Sequence, residues 1–143
     1  MKRKSINEMR LAFPSDSRNE SYARYAVTAF VAQLDPTTEE LADIRTAVSE
    51  AVTNCIIHGY RGTSGNIRVE TKLYEDRTVR ITVKDKGCGI EDIEKARQPL
   101  FTTDGCGERG GMGFTIMESF SDRLTVRSHP GKGTTVTMTK RLS

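Results

Sequence analysis

Twice between Gly65 and Asp85 the chain sets its buried-type side chains at every second position. The first row is Ile67, Val69, Thr71 and Leu73; the second is Val79, Ile81 and Val83. A period of two belongs to β-strands, and Arg68, Glu70 and Lys72 in the alternate positions assign the other face to water. Glu75-Asp76-Arg77 separates the rows, so they form a hairpin that needs a cover on one side only. The residues before it supply that cover. A helix capped by Ser15 or Ser17 presents Tyr22, Ala26, Phe30 and Leu34, with Val27 and Val31 beside them. Asp35-Pro36 breaks it. Thr37 or Thr38 caps a second helix, and Glu40 stands three residues after Thr37, as a capping box requires. Its apolar stripe is Leu41, Ile44, Val48, Val52 and Cys55; it runs to about His58 and stops at Gly59.

Ile6 to Phe13 reads as an edge strand closed by Pro14. The stretch 86–113 is glycine-rich, with a short helix expected near Glu91 to Arg97 and another from Gly113 to about Phe120. Strands Arg123 to Ser128 and Thr134 to Lys140 flank the turn Pro130-Gly131-Lys132-Gly133. Strands and helices do not alternate strictly. The expected fold is therefore an α/β two-layer sandwich, a mixed and largely antiparallel sheet covered on one face by helices, with residues 1–143 as one domain.

Charge narrows the function classes. A net charge of +3 comes from mixed signs, without a basic cluster interleaved with aromatics, so no direct nucleic-acid partner is expected. Lys2-Arg3-Lys4 reads as a solvated end or as a phosphate-binding arm. No run approaches the roughly 18 apolar residues of a membrane span, and no apolar stretch typical of a secretory leader follows the basic trio. Cys55, Cys88 and Cys106 lack metal-ligand spacing, which suits reduced thiols in a cytoplasmic protein.

Three pieces carry chemistry. Glu50, Asn54 and His58 form a row on the second helix, with Glu50 and Asn54 nearly opposite the apolar stripe. Such a row is a solvated face or, on a covered helix, a carboxylate and an amide placed to hold a hard cation and a nearby water or hydroxyl. Asp85 shares the parity of Val79, Ile81 and Val83, so its carboxylate points inward and needs a donor. An adenine amine and a turn N–H both qualify. Gly87 and Gly89 then allow close backbone approach to a flat ligand. Finally, Gly105 to Gly113 opens a helix at Phe114, either as an anion site with Arg109 or as a surface loop. Gly105-Cys106-Gly107-Glu108-Arg109-Gly110 matches a dinucleotide fingerprint formally, but no strand precedes it. Gly131-Lys132-Gly133-Thr134 is an incomplete phosphate loop, and the H-R-D and D-F-G kinase signatures are absent.

In order, Glu50-Ala51-Val52-Thr53-Asn54-Cys55-Ile56-Ile57-His58-Gly59, Asp85-Lys86-Gly87-Cys88-Gly89-Ile90 and Gly111-Met112-Gly113-Phe114 resemble the N, G1 and G2 boxes of the Bergerat-fold ATPases. These include gyrase, a heat-shock chaperone class, histidine kinases and mismatch-repair ATPases. Arg97-Gln98-Pro99-Leu100-Phe101-Thr102-Thr103, Met112 to Glu118, and Asn19-Glu20-Ser21 with Arg24 are similar to the branch of serine kinases that act as anti-sigma factors in sporulation. The resemblance implies ATP or ADP with Mg²⁺ as the bound species. It implies Asn54 on the metal, Glu50 as general base toward a protein serine, and Asp85 on the adenine amine with Gly87, Gly89 and Thr134 nearby. Arg109 and the backbone amides around Gly111 and Gly113 would hold the phosphates, and Thr103, also on the nucleotide, would begin a moving lid that runs to Gly111. Arg24 would dock partners: a sporulation sigma factor and the anti-anti-sigma protein that carries the serine, around a homodimer. The loop Asp104-Gly105-Cys106-Gly107 is richer in glycine than that branch, and His58 reads as a helix-end residue rather than a phosphoacceptor. Two other readings stay open at this level: a general stress-response anti-sigma kinase, and a nucleotide-gated sigma-binding module without kinase activity.

Overall fold

The computed structural model describes residues 4–61, 63–90 and 113–143. The elements are β1 (Ser5–Pro14), α1 (Arg18–Val31), α2 (Thr38–Asn54), β2 (Asn66–Tyr74), β3 (Thr78–Asp85), α3 (Gly113–Phe120), β4 (Arg123–His129) and β5 (Gly133–Arg141). A 3₁₀ turn at Ala32–Leu34 follows α1, and a π turn at Cys55–Gly59 follows α2. The sheet order is β1-β2-β3-β5-β4, and each of the four described pairings is antiparallel. The helix expected near Glu91 to Arg97 lies outside the described residues.

The two rows of alternating residues do what their parity requires. Ile67, Val69, Thr71 and Leu73 on β2, and Val79, Ile81 and Val83 on β3, are all buried beneath the helices. Lys72 opposes Arg80 in that hairpin, and both point to the other face. On that face, Arg10 and Lys72 are paired with carboxylates through Arg10–Glu70, Lys72–Glu8 and Lys72–Glu70 contacts.

α2 is the central helix, packed against α1 on one side and α3 on the other. Its start is the expected capping box: the Thr37 hydroxyl accepts from the Glu40 N–H at 3.0 Å, and the Glu40 carboxylate accepts from the Thr37 N–H at 2.8 Å. Such a cap stabilises by about 1 kcal/mol. Ile44, Val48, Val52 and Cys55 are buried as the stripe demands, and Leu41 is half-buried.

α1 corrects two expectations. Its buried residues are Ala23, Val27 and Val31, with Leu34 in the following turn, whereas Tyr22 is 56% exposed. The face is rotated by one residue, because small Ala23 and β-branched Val27 let α1 approach its neighbours more closely than a tyrosine would. Ser17 holds the cap position without a side-chain cap bond. Asp16 accepts from the Arg18 N–H at 2.9 Å instead, and the Ser15 hydroxyl joins Thr63 and Gly65 beside β2.

Candidate functional site

One end of the sheet meets the C-terminal end of α2, and three glycines permit the contact. After Asn54 the α ladder gives way to an i→i+5 bond from the Tyr60 N–H to the Cys55 carbonyl, 2.9 Å. Single π turns of this kind gather at functional places in helices. This one lays Gly59 flat against Asp85: a Cβ there would stand 3.1 Å from the Cγ and both oxygens of the carboxylate. Gly87 backs onto Gly59 so tightly that a Cβ would fall 2.1 Å from its carbonyl oxygen. The Cys88 N–H donates to that same carbonyl at 2.8 Å, and Gly131 in turn donates to the Cys88 carbonyl at 2.7 Å. The segment from Asp85 to Ile90 is thus strapped between the π turn and the β4–β5 turn.

Asp85 is 5% exposed. Its carboxylate accepts the Gly87 N–H at 2.8 Å and further bonds from the Cys55 thiol and the Thr134 N–H. Burial raises its pKa above the usual 3.8, against the opposing pull of those donors. Burial and the nearby Asp85 push the Cys55 thiol well up, so it stays protonated and donates. Thr134 faces Asp85 across the β3–β5 ladder, and its hydroxyl lies 2.8 Å from that of Ser128. Ser128 also accepts the Ile90 N–H at 2.7 Å. Gly89 holds φ of +75° with its α-carbon close to the His129 carbonyl, a conformation open to glycine and strained for other residues.

One turn before the π turn, Glu50 is buried although it sits away from the apolar stripe. α2 is therefore covered on more than one side, as Ala47 and Ala51 being buried also requires. Asn54 follows at i+4, about 6 Å along the axis, half-buried and with no side-chain hydrogen bond among the described residues. Its carbonyl oxygen is a hard donor that could hold a Mg²⁺ ion, and Glu50 places a carboxylate beside that position for a nearby water or hydroxyl. Gly113 begins α3, which packs on α2.

Arg24 lies apart from this cluster, on α1. Its guanidinium sits over the Tyr25 ring at 5.2 Å, donates to the Ser21 hydroxyl at 3.1 Å and lies 3.9 Å from Glu20. Glu20 accepts a hydrogen bond from Ser49, the residue before Glu50. The structure thus brings Glu50, Asn54, Asp85, Gly87, Gly89 and Thr134 to one end of the sandwich, and Gly113 opens the helix α3 that packs on α2. Thr103, Arg109 and Gly111 lie outside the described residues. Sequence reasoning missed Tyr60, whose hydroxyl accepts the Lys86 N–H at 2.7 Å and donates to the Asn66 carbonyl at 2.5 Å. A tyrosine after a helix-stopping glycine carries no periodic signal.

A layer of helices on an antiparallel sheet, with a strand-end carboxylate facing an amide-bearing helix, defines a class. The chain belongs to the histidine kinase-like ATPase domain family, whose profile matches residues 13–140. Within it the chain falls among the anti-sigma F factors. It is 61% identical to that of Thermoanaerobacter sp. (strain X514) over 134 residues, covering 94% of this chain and 93% of the relative. With that of Bacillus licheniformis it shares 56% over 138 residues, 96% and 94% of the two chains. Among solved structures, the fold is shared with the RsbU and RsbW domains of Rv1364c from Mycobacterium tuberculosis. The TM-score is 0.67 at 24% identity, over 96% of this chain and 32% of that one. The histidine kinase domain of a blue-light activated kinase from Erythrobacter litoralis gives a TM-score of 0.58 at 21% identity, over 86% and 60%.

Proposed function

We propose that this chain is an ATP-dependent protein serine kinase and anti-sigma factor. It would bind and inhibit a sporulation sigma factor and phosphorylate the sigma factor's anti-anti-sigma antagonist on a serine. The observation that carries the reading is Glu50: a buried carboxylate one turn from the Asn54 amide, which has no side-chain hydrogen bond among the described residues, on the helix that abuts Asp85. A module that only clamps a sigma factor has no use for a carboxylate beside the metal position.

In this reading Asp85 accepts the adenine amine, its geometry held by the Gly87, Thr134 and Cys55 donors. Gly87, Gly89 and Thr134 shape the adenine side, while Thr103, Arg109, Gly111 and Gly113 serve the phosphates. Mg²⁺ bound through Asn54 would neutralise phosphate charge as the phosphoryl group moves. Glu50 orients the incoming serine hydroxyl and takes its proton, a contribution that suits a reaction limited by positioning and charge. Arg24, between the exposed Tyr22 and Tyr25, presents a cation and two aromatic rings to a protein partner. The reading also takes the chain as a homodimer, for which Ile6, exposed on β1, offers further apolar surface. The whole chain would act as one cytoplasmic domain.

The test is transfer from radiolabelled ATP to the purified antagonist in Mg²⁺, followed by mapping of the labelled residue. Phosphoserine is expected, and Glu50→Gln is expected to cut the rate by about 10²–10⁴-fold with nucleotide affinity within about twofold of wild type. Label on His58, or full transfer by Glu50→Gln, contradicts the reading.

A further inference from the structure

The sheet face away from the helices divides into two electrostatic halves. On β1 and β2, Arg10 and Lys72 are matched by Glu8 and Glu70, whereas Arg68, opposite Lys84, is exposed and makes no ion pair among the described residues. On β3, β5 and β4, Lys140 pairs with Asp122 at 3.4 Å, but Arg80, Lys84, Arg123 and Arg127 make no ion pair among the described residues. Arg80, Arg123, Thr125, Arg127, Thr135, Thr137 and Thr139 line a shallow trough of about 260 Å³ there, and none of these is acidic or aromatic. Arg123 and Arg127 are exposed and make no ion pair among the described residues.

Register fixes the pattern of charge. Arg80 and Arg123 flank Thr139 from its two sides, and Lys84 and Arg127 flank Thr135. Between these rows lies Thr82–Thr137–Thr125, which is uncharged. The cationic rows are thus four residues apart along the strands, about 13 Å, and each spans two interstrand gaps, about 10 Å. A trough this open suits an extended chain better than a compact small ligand, which needs a concave site.

We infer that this trough is a docking surface for an extended acidic segment of a partner protein, with carboxylates at positions i and i+4 on the cationic rows and a small polar residue over the threonines. An extended segment repeats its side chains every two residues, so i and i+4 emerge on the same side at the row spacing. Nucleic acid fits less well. Its charges recur every about 3.4 Å along a strand, so many would fall on the uncharged threonine row, and the trough offers no ring for a base to stack on. The surface is separate from Asp85, Glu50 and Asn54, so it does not depend on the nucleotide reading.

The experiment is an NMR titration of the ¹⁵N-labelled chain with two dodecapeptides of equal composition. One carries its two glutamates four positions apart; the other carries them adjacent. The spaced peptide should shift amides of β3, β5 and β4 selectively, and bind at least about fivefold more tightly than the other at low salt. Arg123→Gln with Arg127→Gln should weaken it by about tenfold while leaving ATP affinity unchanged. The two-peptide comparison needs no variant, so it stands even if the double substitution perturbs folding. Equal binding of the two peptides, no binding of either, shifts confined to other surfaces, or tighter binding of an oligothymidylate would each overturn the inference.

Discussion

Asp85 illustrates how a side chain is placed by its neighbours' smallness. Gly59 and Gly87 let the backbone close around its carboxylate, and the Gly87, Thr134 and Cys55 donors fix its orientation. Burial nevertheless raises its pKa, and that has a consequence of definite sign. An acid with a raised folded pKa contributes stability that is fully present below its unfolded value, near 3.8, and is lost as pH rises through the folded value. The stability of Asp85→Asn relative to wild type should therefore increase as pH rises across that window. Urea unfolding at a series of pH values measures the difference; a flat difference, or one of opposite slope, contradicts the assignment. Asp85 was legible in the sequence because strand parity is exact: it continues Val79, Ile81 and Val83. Glu50 and Asn54 were legible as an i, i+4 pair, and the small Ala51 and Thr53 with the apolar Ile56-Ile57 beside them mark a helix too apolar to be freely exposed. Tyr60 and the Cys55 thiol bond were not legible, since both depend on which segments meet.

At the scale of elements, the π turn is the device that joins α2 to β3. Nothing in Cys55-Ile56-Ile57-His58-Gly59 marks a π turn, because the same side chains suit an α-helix and only the backbone pairing differs. The rotated face of α1 has a related cause: tyrosine and phenylalanine dominate a hydrophobic pattern by size, whereas close packing selected Ala23, Val27 and Val31. Two substitutions probe these contacts. Gly87→Ala forces a methyl group to within 2.1 Å of the Gly59 carbonyl oxygen, and should destabilise by about 1–3 kcal/mol while weakening nucleotide binding. Thr71→Val addresses the opposite case. Thr71 is fully buried on the core side of β2, and its hydroxyl has no hydrogen-bond partner among the described residues. The isosteric valine should stabilise by about 0.5–1 kcal/mol, read as a higher thermal midpoint; a lower midpoint would mean that the hydroxyl is satisfied.

The molecule as a whole uses its two layers for different tasks. The helical layer closes the core and carries Glu50 and Asn54 to the sheet end where Asp85 lies; the opposite face keeps a patterned cationic surface. A largely antiparallel two-layer sandwich was readable from periodicity, turn residues and the order of strands and helices, and the family from three short boxes in order. The stretch 91–112, where the sequence places Thr103, Arg109 and Gly111, lies outside the described residues. In the proposed function, ATP and ADP states present partners with different surfaces, so sigma-factor affinity should differ between them by about 5–150-fold; equal affinities would remove the switch. All of this depends on adenine being read at the end of β3. The direct measurement is calorimetric titration of the wild-type chain and Asp85→Asn with ATP in Mg²⁺. A saturable heat for wild type and an affinity at least about tenfold weaker in Asp85→Asn are the expected results. Equal affinity in the two proteins, or no heat in either, would contradict the account.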